Sequence, residues 1–169
     1  MASDELCRSI FSKVEEQIER TVHLIALVPA GDLDWQPPIP GAWSVGRLLG
    51  HLLDAIAGFC AVLAAIEPTR LAHFAELRNA AVNHSCSPNE AISRIAQYRD
   101  RIEEGFSVLS DAKLRESVPT VFVEGGEPAM TLLLGNLEHL VNHKHQLFTY
   151  LKYMGVAVNT RDLYHFRRA

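Results

Sequence analysis

Four separate stretches of this chain place apolar residues at steps of three and four, and that periodicity restricts the fold more than any other feature of the sequence. The first runs from about Asp4 to Leu27, carries Leu6, Ile10, Val14, Ile18, Val22 and Ile25 with acidic residues between them, and ends before Pro29. The second opens at Trp43-Ser44, where Ser44 suits an N-cap and Trp43 and Leu48 have the spacing of a hydrophobic staple. It continues through Leu52, Ile56, Phe59, Leu63 and Ile66 to Pro68. The third opens at Ser87-Pro88-Asn89-Glu90, a capping box with proline at the first helical position, and carries Ile92, Ile95, Tyr98, Ile102, Phe106 and Leu109. The fourth is expected from a cap at Thr131 to Gly155, a residue suited to a left-handed helix stop. Four amphipathic helices of three or more turns predict an all-α fold, a four-helix bundle.

Two connections are too long for structureless loops, which seldom exceed about 12 to 15 residues. Between Glu67 and Cys86 a short helix is expected, near Thr69 to Val82. Between Ser110 and Met130 the run "VPTVFVEGGEPAM" reads as a strand, a Gly-Gly turn and a weaker return strand, a small β-hairpin before the last helix. With 169 residues and no internal repeat, the chain reads as a single domain, 1–169.

Charge and cysteine content narrow the partners. A net charge of -4, with no basic block beyond the terminal "FRRA", argues against nucleic acid. Cys7, Cys60 and Cys86 are widely spaced and odd in number, so neither a disulfide framework nor a thiolate metal site is expected, and a reducing cytoplasm fits. Cys60, at helical spacing from Ile56 and Leu63, reads as a small core residue. The acidic start "MASDELC" is unlike a signal peptide, and no apolar run reaches the ~18 residues of a membrane span. A soluble protein without membrane contact is expected.

The fourth helix holds the feature that packing alone does not explain. Its apolar stripe, Leu132, Leu140, Leu147, Leu151 and Met154, has gaps at Asn136, His139 and His143, so both histidines face inward, whereas His145 points elsewhere, to surface or groove. Histidines four apart on one helix face can offer two nitrogens to one metal ion. His51, within or beside the buried arc of the second helix, supplies a third candidate. A buried histidine is also commonly a core residue hydrogen-bonded to a carbonyl, and the pattern leaves both roles open for His51. His23, His73, His84 and His165 lack a matching partner and are expected on surface or loop.

Two stretches resemble signatures of the DinB-like (YfiT-like) superfamily. "WQPPIPGAWSVGRLLGHLLDA", Trp35 to Ala55, has the proline-rich turn, the Trp-Ser pair and the histidine-bearing helix. "HLVNHKHQLFTYLKYMG" carries His139, His143, Gln146 and Gly155 on the positions of the closing signature. His145 departs from it, since many members have glycine there, and Val156 to Ala169 lies outside it. The resemblance implies DinB-like topology, a divalent metal held by His51, His139 and His143, and a homodimer. It also implies bacterial relatives, some of them transferases or isomerases that use a low-molecular-weight thiol.

Three neutral imidazoles leave the ion's charge uncompensated and a coordination position open, as in catalytic sites. Hydroxide there would make a hydrolase, and a thiolate a thiol transferase or isomerase acting on a small-molecule substrate. Zinc is the first expectation for the metal, with nickel or iron next. Asp54 and Gln146 are the candidate catalytic groups, and Asn136 a candidate support for a ligand. The alternative from another class is a non-catalytic bundle that binds a metal or small ligand in a stress response.

Overall fold

The computed structural model describes residues 4–120 and 123–164. His165 and the pair 121–122 within the expected first strand lie outside the described residues. Four long helices form the body: α1 (Glu5–Ala26), α2 (Val45–Ile66), α3 (Pro88–Ser107) and α4 (Ala129–Tyr153). α2 packs against both α3 and α4, and α1 also packs against both, which places α1 and α2 on opposite corners of the bundle. The α1–α2 and α3–α4 connections therefore cross a diagonal, whereas α2 and α3 are neighbours. The core is continuous and is filled by Val14, Ile18, Leu24, Leu52, Ile56, Phe59, Leu63, Ile95, Tyr98, Ile102, Leu140, Leu147 and Leu151, all at most 2% exposed.

Local chemistry sets the helix ends. Ser44 Oγ accepts the Arg47 N–H at the start of α2. Ser87 Oγ accepts the Glu90 N–H at the start of α3. The expected capping box forms only in part, because the Glu90 carboxylate turns to His84 Nε2, 2.7 Å away. α1 is capped from a distance: the Asp111 carboxylate, from the connection after α3, accepts the N–H groups of Leu6 and Cys7 at 3.2 and 2.9 Å. Those bonds, that from Cys7 foremost, hold the Asp111 carboxyl below the usual carboxylate range.

α4 begins two residues before the expected Thr131 cap. The strands β1 (Ser117–Val118) and β2 (Glu127–Pro128) pair antiparallel, Ser117 opposite Pro128, and β2 runs directly into the helix. The Ala129 N–H bonds to the Glu116 carbonyl at 2.9 Å, so the hairpin satisfies one of the free donors at the helix start. Gly125 and Gly126 turn the hairpin with φ of 85° and 81°. Leu140, Leu147 and Leu151 of the expected α4 stripe are fully buried, and only its first member moves, from Leu132, which is partly buried, to Leu133. Gly155 follows the C-cap Met154 at φ 79°, as its position in the sequence suggests.

The other long connection holds a 3-10 helix, Ala72–Asn79, within the expected stretch. Beyond α4, the short α5 (Thr160–Leu163) packs on α1, where His23 Nε2 lies 3.1 Å from Asp162 Oδ1. α2 is long and apolar enough by composition to cross a membrane, although Asp54 interrupts its apolar run. More than half of that stretch is buried in the bundle, as in the core helix of a soluble protein.

Candidate metal centre

α2 and α4 are packed neighbours, and this brings His51 opposite the His139/His143 pair. His51 Nε2 lies 2.9 Å from His139 Nε2 and 3.1 Å from His143 Nε2. The expected three-histidine constellation is thus assembled, with all three rings partly buried. Trp43, just before α2, closes one side: its ring is edge-on to His51 at 4.6 Å and stacked on His143 at 5.7 Å between centroids. The residue read as a staple for Leu48 is a wall of the site.

The far nitrogens explain why the near ones point at one another. His51 Nδ1 lies 2.6 Å from Asn83 Oδ1, and His143 Nδ1 lies 2.9 Å from Gln146 Oε1. An amide oxygen only accepts, so each Nδ1 carries the proton and each Nε2 presents a lone pair. Gln146 is itself fixed, because its amide Nε2 donates to the Tyr150 hydroxyl at 3.1 Å and Tyr150 packs edge-on against Trp35 at 5.5 Å. Two lone pairs about 3 Å apart repel unless a cation lies between them. An ion about 2.0–2.1 Å from each nitrogen separates ligand pairs by about 3.0 Å at right angles and about 3.4 Å at tetrahedral angles, so the observed spacing fits three ligands on one face of an ion.

Electrostatics favour the same state. Burial, then the neighbouring histidines His143 and His51, lower the pKa of His139, with Asp54 acting weakly in the opposite sense. Burial lowers that of His143 as well, opposed by its bond to Gln146. Both imidazoles are therefore held neutral to lower pH than usual, which is the form that binds metal.

The other candidates are placed less centrally. Asp54 Oδ2 is 3.9 Å from His51 Nδ1, beyond hydrogen-bond reach, and its side chain is 40% exposed. Asn136 lies against Gly58 of α2. His145 is exposed, its ring 6.1 Å from that of Phe148. Gln146 bonds to the far nitrogen of His143 and so orients that ring. Cys60 is buried, with its thiol pushed up to about 12, as fits a core residue.

Asn83 is the site residue that the helical pattern does not reveal. It sits at φ 58°, a left-handed conformation that asparagine tolerates better than most residues, and its N–H bonds to the Gly50 carbonyl at 3.0 Å. A β-carbon on Gly50 would lie 1.7 Å from the His84 carbonyl oxygen, so glycine is what lets the segment carrying Asn83 press against α2 beside His51. The available signal was an asparagine just before "HSCSPNE" in a long connection.

The DinB superfamily model matches residues 13–147, and the chain belongs to that superfamily. Among solved structures it is similar to a DinB-like protein from Bacillus subtilis, at 18% identity and TM-score 0.65 over 87% of this chain and 92% of that one. It is similar to a DinB-like protein from Bacillus cereus, at 16% identity and TM-score 0.67 over 90% and 95%. It also resembles the mycothiol-dependent maleylpyruvate isomerase, at 14% identity and TM-score 0.61, over 87% of this chain and 63% of that longer one. At these identities the likeness establishes the fold. A comparison with curated protein sequences finds no significant match.

Proposed function

We propose that this protein is a metal-dependent enzyme whose His51, His139 and His143 hold a divalent ion that activates a low-molecular-weight thiol, in an S-transfer or isomerisation reaction. The observation that carries the reading is His51 Nε2 lying about 3 Å from the Nε2 atoms of both His139 and His143 while Asn83 and Gln146 occupy the opposite nitrogens of two of the rings. The thiol is suggested by the isomerase of like fold. Zinc, nickel and iron all accept three imidazoles. When bound, such an ion supplies Lewis acidity, which brings a thiol or a water molecule toward ionisation near neutral pH.

The protein's own residues do the rest. Asn83 and Gln146 fix tautomer and ring direction, so nothing must reorient when a ligand arrives. Trp43 covers His51 and His143 and keeps water from that side. A groove of about 480 Å³ lies between α2 and the 3-10 helix, walled by Ala57, Gly58, Ala61, Leu71 and Phe74, with Asp54 at the end nearer His51. On this reading the groove takes the apolar part of the substrate, and Asp54 contacts its polar end or accepts its proton. A cytoplasmic homodimer belongs to the same reading, supported by Leu134 and Tyr153, which are 46% and 66% exposed on α4.

The test is metal analysis of protein purified without an affinity column, followed by a thiol-conjugation screen and by Asp54→Asn. Stoichiometric metal, turnover with one thiol, and loss of that turnover in Asp54→Asn with metal retained are expected. Bound metal without turnover of any thiol adduct or hydrolysable ester would leave a non-catalytic metal-binding bundle. Light scattering should give twice the 18.8 kDa of one chain.

A further inference from the structure

A second set of donors lies where α3 begins. His84, Cys86 and Glu90 each direct one ligand atom into a space in which all three atoms are within 4.8 Å of one another. The segment that holds them is fixed by its backbone: the Asn83 N–H bonds to the Gly50 carbonyl at 3.0 Å and the Cys86 N–H to the Gly46 carbonyl at 3.2 Å. Glu90 is placed by the first turn of α3, where Ser87 caps its N–H and Pro88 starts the helix. The three donors therefore need little ordering to meet one ion.

The hydrogen bonding of the cluster is incomplete as it stands. His84 Nε2 bonds to Glu90 Oε1 at 2.7 Å, while His84 Nδ1 is buried and has no hydrogen-bond partner. A buried ring nitrogen in that state keeps its desolvation cost with no bond to offset it. The cysteine beside it is 2% exposed, whereas Glu90 is exposed and leaves one side open to solvent. A surface ion pair accounts for the Nε2 contact alone. It does not account for a buried thiol placed among the same groups.

We infer that His84, Cys86 and Glu90 form a second metal site, separate from the three-histidine centre, that takes a zinc-like divalent cation and completes its shell with water. One thiolate, one imidazole and one carboxylate are all zinc donors, and the mixture of soft and harder ligands disfavours magnesium and calcium. Binding displaces the thiol proton to solvent, so occupancy rises with pH. The ion would also clamp the segment from which Asn83 reaches His51, coupling the two centres through the peptide bond between Asn83 and His84.

Cobalt(II) added to the full-length protein after chelation and exchange reads the two sites separately, because only the second contains sulfur. The expected result is two equivalents bound, with a thiolate-to-cobalt charge-transfer band in the near ultraviolet. That band should persist in the His139→Ala/His143→Ala double variant, and it should disappear in Cys86→Ser as binding falls to one equivalent. If Cys86→Ser does not fold, Glu90→Gln serves, since Glu90 is exposed and its loss should weaken the band-forming step at least tenfold. The inference is overturned by wild-type protein that shows no band or shows one only at millimolar cobalt. A band that survives Cys86→Ser, or unchanged affinity in Glu90→Gln, also overturns it. A single equivalent accompanied by the band would instead remove the three-histidine reading and leave this one standing.

Discussion

Asn83 Oδ1 lies 2.6 Å from His51 Nδ1, and this contact decides which nitrogen of His51 faces the other two histidines. Removing the acceptor frees the ring to rotate or to move its proton to Nε2, where a metal cannot bind. Asn83→Ala should weaken divalent metal binding about 10- to 100-fold. Asn83→Gly is the sharper test, because glycine relieves the φ of 58° while still lacking the acceptor. Calorimetric titration should show the same loss of affinity in Asn83→Gly with no loss of thermal stability. Unchanged affinity would show that the bond does not position the ring.

The three histidines should not be equivalent to the fold. His139→Ala and His143→Ala should each abolish stoichiometric metal binding, measured by elemental analysis, since two imidazoles rarely hold a divalent ion tightly. His51→Ala should weaken binding in the same way with helical content, by circular dichroism, nearly unchanged. His51→Leu tests the cost of the empty cluster: it removes one of the crowded lone pairs but leaves Asn83 Oδ1 without its donor. The two effects are each about 1 kcal/mol and opposite in sign, so the metal-free Leu variant should lie within about 1 kcal/mol of wild type. Destabilisation of about 3 kcal/mol or more would mean that His51 is chiefly a core residue.

The helices and the three clustered histidines were legible in the sequence because both are written in one period. Stripes at steps of three and four locate α1 to α4, and interruptions of such stripes locate His139 and His143. What the period could not show is anything contributed across it. Asn83 reaches His51 from an irregular segment, Asp111 caps α1 from more than a hundred residues away, and the Glu116 carbonyl moves the start of α4 from Thr131 to Ala129. Glu90 fits a capping box by spacing, yet His84 draws its carboxylate off. Each of these depends on a tertiary contact, which local propensity does not encode.

Gly50 should be among the least replaceable residues of the chain. A β-carbon there would be 1.7 Å from the His84 carbonyl oxygen, so Gly50→Ala must push the Asn83–Cys86 segment off α2. Helix propensity alone would favour alanine by about 1 kcal/mol. The expected result is the reverse: a destabilisation of roughly 2 kcal/mol or more in urea unfolding, together with the metal-affinity loss predicted for Asn83→Ala. A Gly50→Ala protein that is more stable and binds metal normally would show that the segment can shift freely.

Lys144 offers a test of burial away from the metal centre. It lies four residues after Leu140 and three before Leu147, on the apolar stripe of α4, and it is 3% exposed with its ammonium 2.7 Å from Gln17 Oε1 of α1. Burial, then the positive charge of Arg20, push its pKa down to about 8, with Glu16 opposing. A lysine whose folded pKa lies below its unfolded value of about 10.4 binds its proton more tightly when unfolded. Its contribution to stability is therefore complete above the unfolded value and is lost as pH falls toward the folded one. Wild type should gain on Lys144→Met as pH rises from 8 to 10, and the thiols of Cys7, Cys60 and Cys86, raised by burial, act equally in both proteins and cancel in the difference. At pH 7 the methionine variant should be the more stable by about 1–2 kcal/mol, since it removes a buried charge and forfeits one hydrogen bond to Gln17. Urea unfolding of both proteins at pH 7, 8, 9 and 10 measures the difference directly. A gap that stays constant across that range would mean that Lys144 keeps its proton throughout and that the polar groups around α1 solvate it as well as water does.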